Sequence, residues 1–213
     1  MTALQEQISQ LIEALPVTPP PDLLEKLQLF RKELLVANRR INLISRKNQE
    51  QVADRLISDS LALLTLVEYR PDATLLDLGS GAGFPGIVHK LVYPDLRVIS
   101  VESNRRKIEW QRTIARRLDL SGIQFLPQRL EKVTPQQVDY VVAKAVGSVE
   151  TLCRLAEPHL LSGGLLILPR SQAESPPDSA KLGNNWEIVL NTEYETAEPD
   201  KTAKLLVLRK VGN

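Results

Sequence analysis

Residues 75–86 read Leu75-Leu76-Asp77-Leu78-Gly79-Ser80-Gly81-Ala82-Gly83-Phe84-Pro85-Gly86. An apolar run enters a glycine-rich bend, where the main chain can take positive φ and approach a ligand closely, and Pro85 is suited to opening a helix behind it. In open α/β sheets such a bend lies at the carboxyl end of a strand, where cofactors bind. Gly81, Gly83 and Gly86 also satisfy Gly-x-Gly-x-x-Gly, the dinucleotide pattern. The register differs from that pattern, because Gly79 closes the turn directly after the strand and Asp77 stands two residues ahead of it. A carboxylate at the crevice rim attracts an ammonium or sulfonium and repels a diphosphate. The bend therefore points to S-adenosylmethionine rather than to a nicotinamide dinucleotide. The blander role for Asp77 is to accept main-chain N–H bonds within the turn.

Downstream, short apolar runs at 97–101, 123–126, 138–143 and 165–168 alternate with amphipathic stretches at 86–92, 104–118 and 148–160. Strands alternating with helices of this length predict a doubly wound α/β fold, with a mostly parallel sheet and helices on both faces. Trp186 to Leu190 and Ala203 to Val211 are two more strand candidates, joined by a polar link as a hairpin at the sheet edge. The Pro- and Ser-rich segment 171–185 reads as a surface loop. Upstream, apolar residues at helical spacing predict three helices: Leu4 to Leu15, a second opened by Asp22 as N-cap and running toward Asn38, and a third from Val52 to Val67. The expected organisation is a helical region over 1–72 and an α/β core over 73–213.

Composition narrows the function classes. The chain has 213 residues, 43% hydrophobic, with a formal net charge of +1, so bulk charge does not mark a nucleic-acid binder and any such contact needs a local basic face. One cysteine, Cys153, and two histidines, His89 and His159, argue against a disulfide or a structural metal. No apolar stretch approaches the ~20 residues that span a bilayer, and residues 1–10 lack a signal-peptide pattern. The expectation is a cytoplasmic protein with no membrane partner and no metal.

Glu102 closes the second strand, where a carboxylate can accept both hydroxyls of a ribose. It can equally serve as a first-turn acid of the next helix. Gln128-Arg129-Leu130-Glu131, after the third strand, lies where an adenine would be framed. Two basic clusters stand out: Arg39, Arg40, Arg46 and Lys47, and Arg105, Arg106, Lys107, Arg112, Arg116 and Arg117. Either can track phosphates or be a solvated face. Aromatics make up 4% of the chain, too few for a stacking platform, which favours a folded RNA surface over extended single strand.

These residues resemble the ribosomal RNA small-subunit methyltransferase G family, also called glucose-inhibited division protein B. The likeness is carried by Asp77-Leu78-Gly79-Ser80-Gly81-Ala82-Gly83-Phe84-Pro85-Gly86-Ile87, with Phe-Pro-Gly after the glycines. It extends to Asn42-Leu43, Asp59-Ser60, Glu102-Ser103 with Lys107, Arg129-Leu130-Glu131, Lys144-Ala145 and Gly163-Gly164. The resemblance implies a Rossmann-like class I methyltransferase of seven strands with an N-terminal helical cap. It implies transfer of methyl from S-adenosylmethionine to a guanine N7 of small-subunit (16S) ribosomal RNA, naked or in an assembling subunit; a monomer is expected. By that likeness Gly79 and Phe84 hold the cofactor, beside Gly81 and Gly83 of the same bend, Glu102 and Ser103 take the ribose, Leu130 and Glu131 border the adenine, and Lys144 occupies a family arginine position near cofactor and RNA as the candidate catalytic residue. This chain departs from the family at Leu56, Ile44, Lys144 and Arg170-Ser171, and a lysine loses the two-pronged donor of an arginine.

Guanine N7 has a lone pair and no proton, so its methylation needs in-line positioning but no general base. Exocyclic-amine methylation is disfavoured because Asp139-Tyr140-Val141-Val142-Ala143-Lys144 lacks an Asn- or Asp-Pro-Pro-aromatic turn. Cytosine C5 methylation would need a placed cysteine, and Cys153 lies in an apolar helical stretch. His89 and His159 read as structural. The remaining alternatives are a small-molecule methyltransferase on the same core, an NAD-dependent dehydrogenase, and an RNA-binding assembly factor without turnover.

Overall fold

Side chains of successive strand residues point to opposite faces of a sheet, and here they divide between two apolar clusters. Leu75, Val98, Tyr140 and Val142 belong to one, and Leu76, Leu78, Ile99, Val101, Val141 and Ala143 to the other. The computed structural model describes residues 3–144, 147–172, 182, 184–196 and 201–212. In chain order these form α1 (Ala3–Glu13), α2 (Leu23–Asn38), α3 (Gln49–Leu64), β1 (Thr74–Leu78), α4 (Gly86–Val92), β2 (Arg97–Val101), α5 (Arg105–Arg117) and β3 (Ile123–Leu126). A 3-10 turn (Leu130–Lys132), β4 (Val138–Ala143), α6 (Val149–Ala156), β5 (Leu160–Arg170), β6 (Trp186–Glu195) and β7 (Thr202–Lys210) follow.

The seven strands lie in the order β3-β2-β1-β4-β5-β7-β6. β1 to β5 pair in parallel, while β7 runs antiparallel to both β5 and β6. The order reverses between β1 and β4, so the crevice of a doubly wound sheet opens at their carboxyl ends. Both faces are covered: among the described residues α1 to α5 contribute to the first cluster, and α6, through Val149, Leu152, Cys153 and Ala156, to the second.

Polar ties join α2 to its neighbours. The Arg31 guanidinium grips both oxygens of Asp54, joining α2 to α3. Glu33 pairs with Arg117 at 2.5 Å, joining α2 to α5. Asn38, fully buried at the end of α2, accepts the N–H groups of Leu43 and Ile44 at 2.9 and 3.0 Å and donates to Gln49 at 3.0 Å. One amide thus shapes the basic loop between α2 and α3.

Several expectations are corrected. Asp22 precedes α2, but its side chain makes no cap bond and pairs with Lys26 at 3.0 Å. β5 begins at Leu160 rather than Leu165, because Leu160 pairs with Val138 before the register shifts to Tyr140 and Leu165. β6 continues to Glu195, into residues read as a polar link. It is the edge strand, where polar residues facing water are compatible with pairing. Most of the expected loop 171–185 lies outside the described residues. No helix among them is long and apolar enough to cross a membrane.

Candidate active site

The bend after β1 is held to β2 by main-chain bonds, with Gly79 and Ser80 N–H donating to Val101 O at 2.9 and 3.1 Å. Gly83 and Phe84 N–H then donate to Ser80 O at 2.7 and 3.0 Å, turning the chain into α4. At Gly81 φ is +57°, and an added Cβ would meet nothing nearer than Gly79 O at 3.8 Å. That direction is open to a ligand. At Gly86 an added Cβ would come within 2.5 Å of Asp77 Oδ2, so this glycine is required by close packing against the acid. Phe84 is buried with its ring centroid 5.1 Å from that of Phe30, so only its main chain can face the crevice.

A buried polar ring that sequence reasoning missed supports the bend. Gln111 Nε2 donates to Ser80 Oγ and to Gly81 O, each at 2.8 Å. Ser100 Oγ lies 2.6 Å from Gln111 Oε1 and 2.7 Å from Ser80 Oγ, and Trp110 Nε1 donates to Ala82 O at 3.1 Å. The signal was available: Gln111 sits in the apolar stripe of α5 with Ile108 and Ile114, a polar residue where the helix period calls for an apolar one.

Asp77 is not at the rim. It is 1% exposed, and its Oδ2 accepts Gly86 N–H at 2.9 Å while its Oδ1 has no hydrogen-bond partner. Burial pushes its pKa up to about 8, against the Gly86 bond, which lowers it, and with Glu102 adding to the rise. The acid therefore does serve the turn, and it retains one unused acceptor beneath the bend.

Glu102 bridges the bend and the next helix. Its Oε2 accepts Gly81 N–H at 3.2 Å, and its Oε1 accepts Asn104 N–H at 2.7 Å and the Ser103 hydroxyl at 3.4 Å. Glu102 is half-buried and Ser103 exposed. Main-chain N–H of Glu102 donates to Leu126 O at 3.3 Å, which brings the segment after β3 alongside. There Leu130 opens the 3-10 turn, its side chain lying outside the described part of the chain, and Glu131 is exposed. The structure thus gathers Gly79, Gly81, Glu102 and Ser103 at one crevice. An acid with one unpartnered oxygen below, an open glycine and a carboxylate at the end of β2 match a ligand with cationic and ribosyl parts.

Lys144 follows β4, whose Ala143 is paired with Leu78 of β1. Its Nζ donates to Asp59 Oδ2 of α3 at 3.0 Å, and Asp59 Oδ1 is buried without a partner. The neighbouring turn residue Ala145 lies outside the described residues. His89 is buried between Tyr69 Oη at 2.8 Å and Ser60 O at 3.0 Å, and burial lowers its pKa to about 3. Burial likewise pushes the Cys153 thiol up to about 12.

Comparison with known proteins bears on what this crevice serves. The family model for rRNA small subunit methyltransferase G matches residues 23–205. The chain belongs to this family. A Cereibacter sphaeroides protein named ribosomal RNA small subunit methyltransferase G is 34% identical over 215 residues, covering 99% of this chain and 100% of that protein. A Geobacter relative of the same name is 37% identical over 153 residues, 70% of each chain. Among solved structures, the ribosomal protein L11 methylase of Lactobacillus delbrueckii subsp. bulgaricus superposes with a TM-score of 0.58 at 19% identity, covering 74% of this chain and 79% of that one. That likeness is one of fold, and it makes this a class I, Rossmann-like methyltransferase architecture.

The positions expected to depart from the methyltransferase G family fall in two places. Ile44 is buried in the first cluster, held by the Asn38 bond. Leu56, Lys144, Arg170 and Ser171 line one cavity at the ends of β4 and β5. The glycine bend carries none of them.

Proposed function

We propose that this chain transfers a methyl group from S-adenosylmethionine to N7 of a guanine in small-subunit ribosomal RNA, naked or in an assembling subunit, acting as a monomer in the cytoplasm. The observation that carries the cofactor half is Asp77, a buried carboxyl with one unpartnered oxygen beneath a bend whose Gly81 is open on its ligand side. When bound, S-adenosylmethionine supplies a methyl carbon made electrophilic by the attached sulfonium. Main chain at Gly79, Gly81, Gly83 and Phe84 cradles it, Glu102 and Ser103 take its ribose, Leu130 and Glu131 border its adenine, and Lys144 stands between it and the acceptor.

The acceptor half fits what the chain lacks. N7 presents a lone pair without a proton, so positioning suffices. His89 is spoken for on both ring nitrogens and held neutral by burial, which removes it as a base. Cys153 keeps its proton in the core and is no nucleophile.

Between the two basic clusters, the loop after α2 is favoured as the RNA surface. Arg39, Arg40, Arg46 and Lys47 are exposed and make no ion pair among the described residues, whereas on α5 Arg117 pairs with Glu33 and Arg112 with Glu109. The loop leads directly into α3, whose Arg55, Leu56 and Asp59 line the cavity beside Lys144.

The test is to incubate the protein and tritiated S-adenosylmethionine with ribosomal RNA from a strain lacking it, then cleave at 7-methylguanosine by borohydride and aniline. A single scission site in the small-subunit RNA, with the tritium released on the freed base, is expected. Label that resists this chemistry, or no label, would contradict the proposal.

A further inference from the structure

The carboxyl ends of β4 and β5 open on a hollow of about 520 Å³, walled by Arg55 and Asp59 of α3, Lys144, Arg170 and Tyr194 of β6. That volume falls within the ~300 to 1,000 Å³ of sites for small ligands. Lys144 comes directly after Ala143, which pairs with Leu78, and Leu78 directly precedes Gly79 of the bend. Ala143, which leads into the Lys144 wall of the hollow, and Leu78, which leads into the bend, therefore lie side by side on adjacent strands, about 5 Å apart by strand spacing. Donor and acceptor of an in-line transfer need that proximity.

Within the wall, Asp59 is underused. A carboxylate has about four acceptor sites, yet Oδ2 takes the Lys144 ammonium alone and Oδ1 is buried with no partner. Beside it the Tyr194 hydroxyl is held firmly protonated, by burial and by the charge of Asp59. An acceptor pair next to a single cationic donor is the complement of one base edge. Guanine presents two adjacent donors, N1–H and the 2-amino group, followed by the O6 acceptor. Adenine, cytosine and uracil each present a different order, and recognition by this edge leaves N7 uncovered.

We infer that the hollow holds the target base and that Asp59 with Lys144 reads it as guanine. The carboxylate, turning about its broad Cβ–Cγ torsion, accepts from N1–H and the 2-amino group. The Lys144 ammonium leaves Oδ2 and donates to O6. This rests on the guanine-N7 reading above and adds the residues that select the base.

Titration of the intact chain with guanosine, inosine and adenosine 5′-monophosphates, in the presence of S-adenosylhomocysteine and followed by amide NMR shifts, tests it without turnover. Inosine lacks only the 2-amino group, so guanosine monophosphate should bind about tenfold more tightly, the worth of one bond to a charged acceptor. Asp59→Asn should bring the three nucleotides within about twofold of one another, the bidentate preference being lost. S-adenosylhomocysteine affinity should stay unchanged and serves as the check on folding. Lys144→Gln should weaken guanosine and inosine monophosphates alike and keep their ratio, since both carry O6. Equal binding of the two by the unaltered chain, a preference that survives Asp59→Asn, or no saturable guanosine monophosphate binding would each overturn the inference. A failure of the methylation reading looks different: no transfer to RNA, with the nucleotide preference intact.

Discussion

Asp77 is an acid placed beyond the reach of water, with consequences for pH. Unfolded, it titrates near 3.8, and folded near about 8, because burial disfavours the charged form. Between those values the folded chain holds a proton that the unfolded chain has released. Its contribution is therefore full below 3.8 and is lost as pH rises toward about 8. Thermal midpoints should fall over that span more steeply in the native chain than in Asp77→Asn. A cationic ligand set beside Asp77 favours its ionised form, so binding of S-adenosylmethionine should release a proton and tighten from pH 7 to 9. Calorimetry in buffers of different ionisation enthalpy measures both, and proton uptake on binding would contradict the account. At Gly81, valine would occupy the open direction at φ +57°. Gly81→Val should cost the fold ~1 to 2 kcal/mol from left-handed strain while reducing S-adenosylhomocysteine affinity by more than about tenfold; unchanged affinity would remove the bend from the site. The bend was legible from its residues, since glycine spacing reports backbone conformation directly. Where Asp77 points was not, because a carboxylate two residues before a turn can face the rim or the core, and only packing against Gly86 decides.

At the scale of elements, α5 does two things at once. Ile108 and Ile114 bury its apolar stripe, and Gln111 within that stripe reaches out to fasten Ser80 and Gly81. Gln111→Leu preserves size but strands buried partners, which costs about 1 to 3 kcal/mol each. The variant should melt earlier and bind S-adenosylhomocysteine more weakly, whereas a matched Thr113→Ala change on the exposed face of the same helix should do neither. Equal behaviour of the two would show that the ring does not position the bend. α4 matches the predicted stretch 86–92, and its start was legible because the glycines and Pro85 lead into it. β6 was cut short because its outer half is an edge strand with polar side chains, and periodicity in one strand does not reveal its neighbours.

The whole molecule gathers its crevice, its hollow and its basic loop around the carboxyl ends of the sheet and the helix packed beside them. The alternation of strands and helices announced that architecture, but not which cluster each helix joins, α1 to α5 the first and α6 the second among the described residues. Asn38, where the second helix was expected to end, is fully buried and shapes the Arg39 to Lys47 loop. Replacing Arg39, Arg40, Arg46 and Lys47 by alanine should weaken RNA binding and flatten its dependence on log salt by ~0.7 to 0.9 for each phosphate no longer neutralised. S-adenosylhomocysteine binding should not change. The same replacement of Arg112 and Arg117 should have a smaller effect on RNA and a larger one on stability, since both are paired; the reverse ranking would move the RNA surface to α5.

The most direct test of the central claim is a crystal of this chain grown with S-adenosylmethionine and NAD together at equal concentration. Density for the sulfonium compound along Gly79 to Gly83, with its ribose on Glu102, is the predicted result. Density for the dinucleotide there, its diphosphate seated over Asp77, would contradict the account.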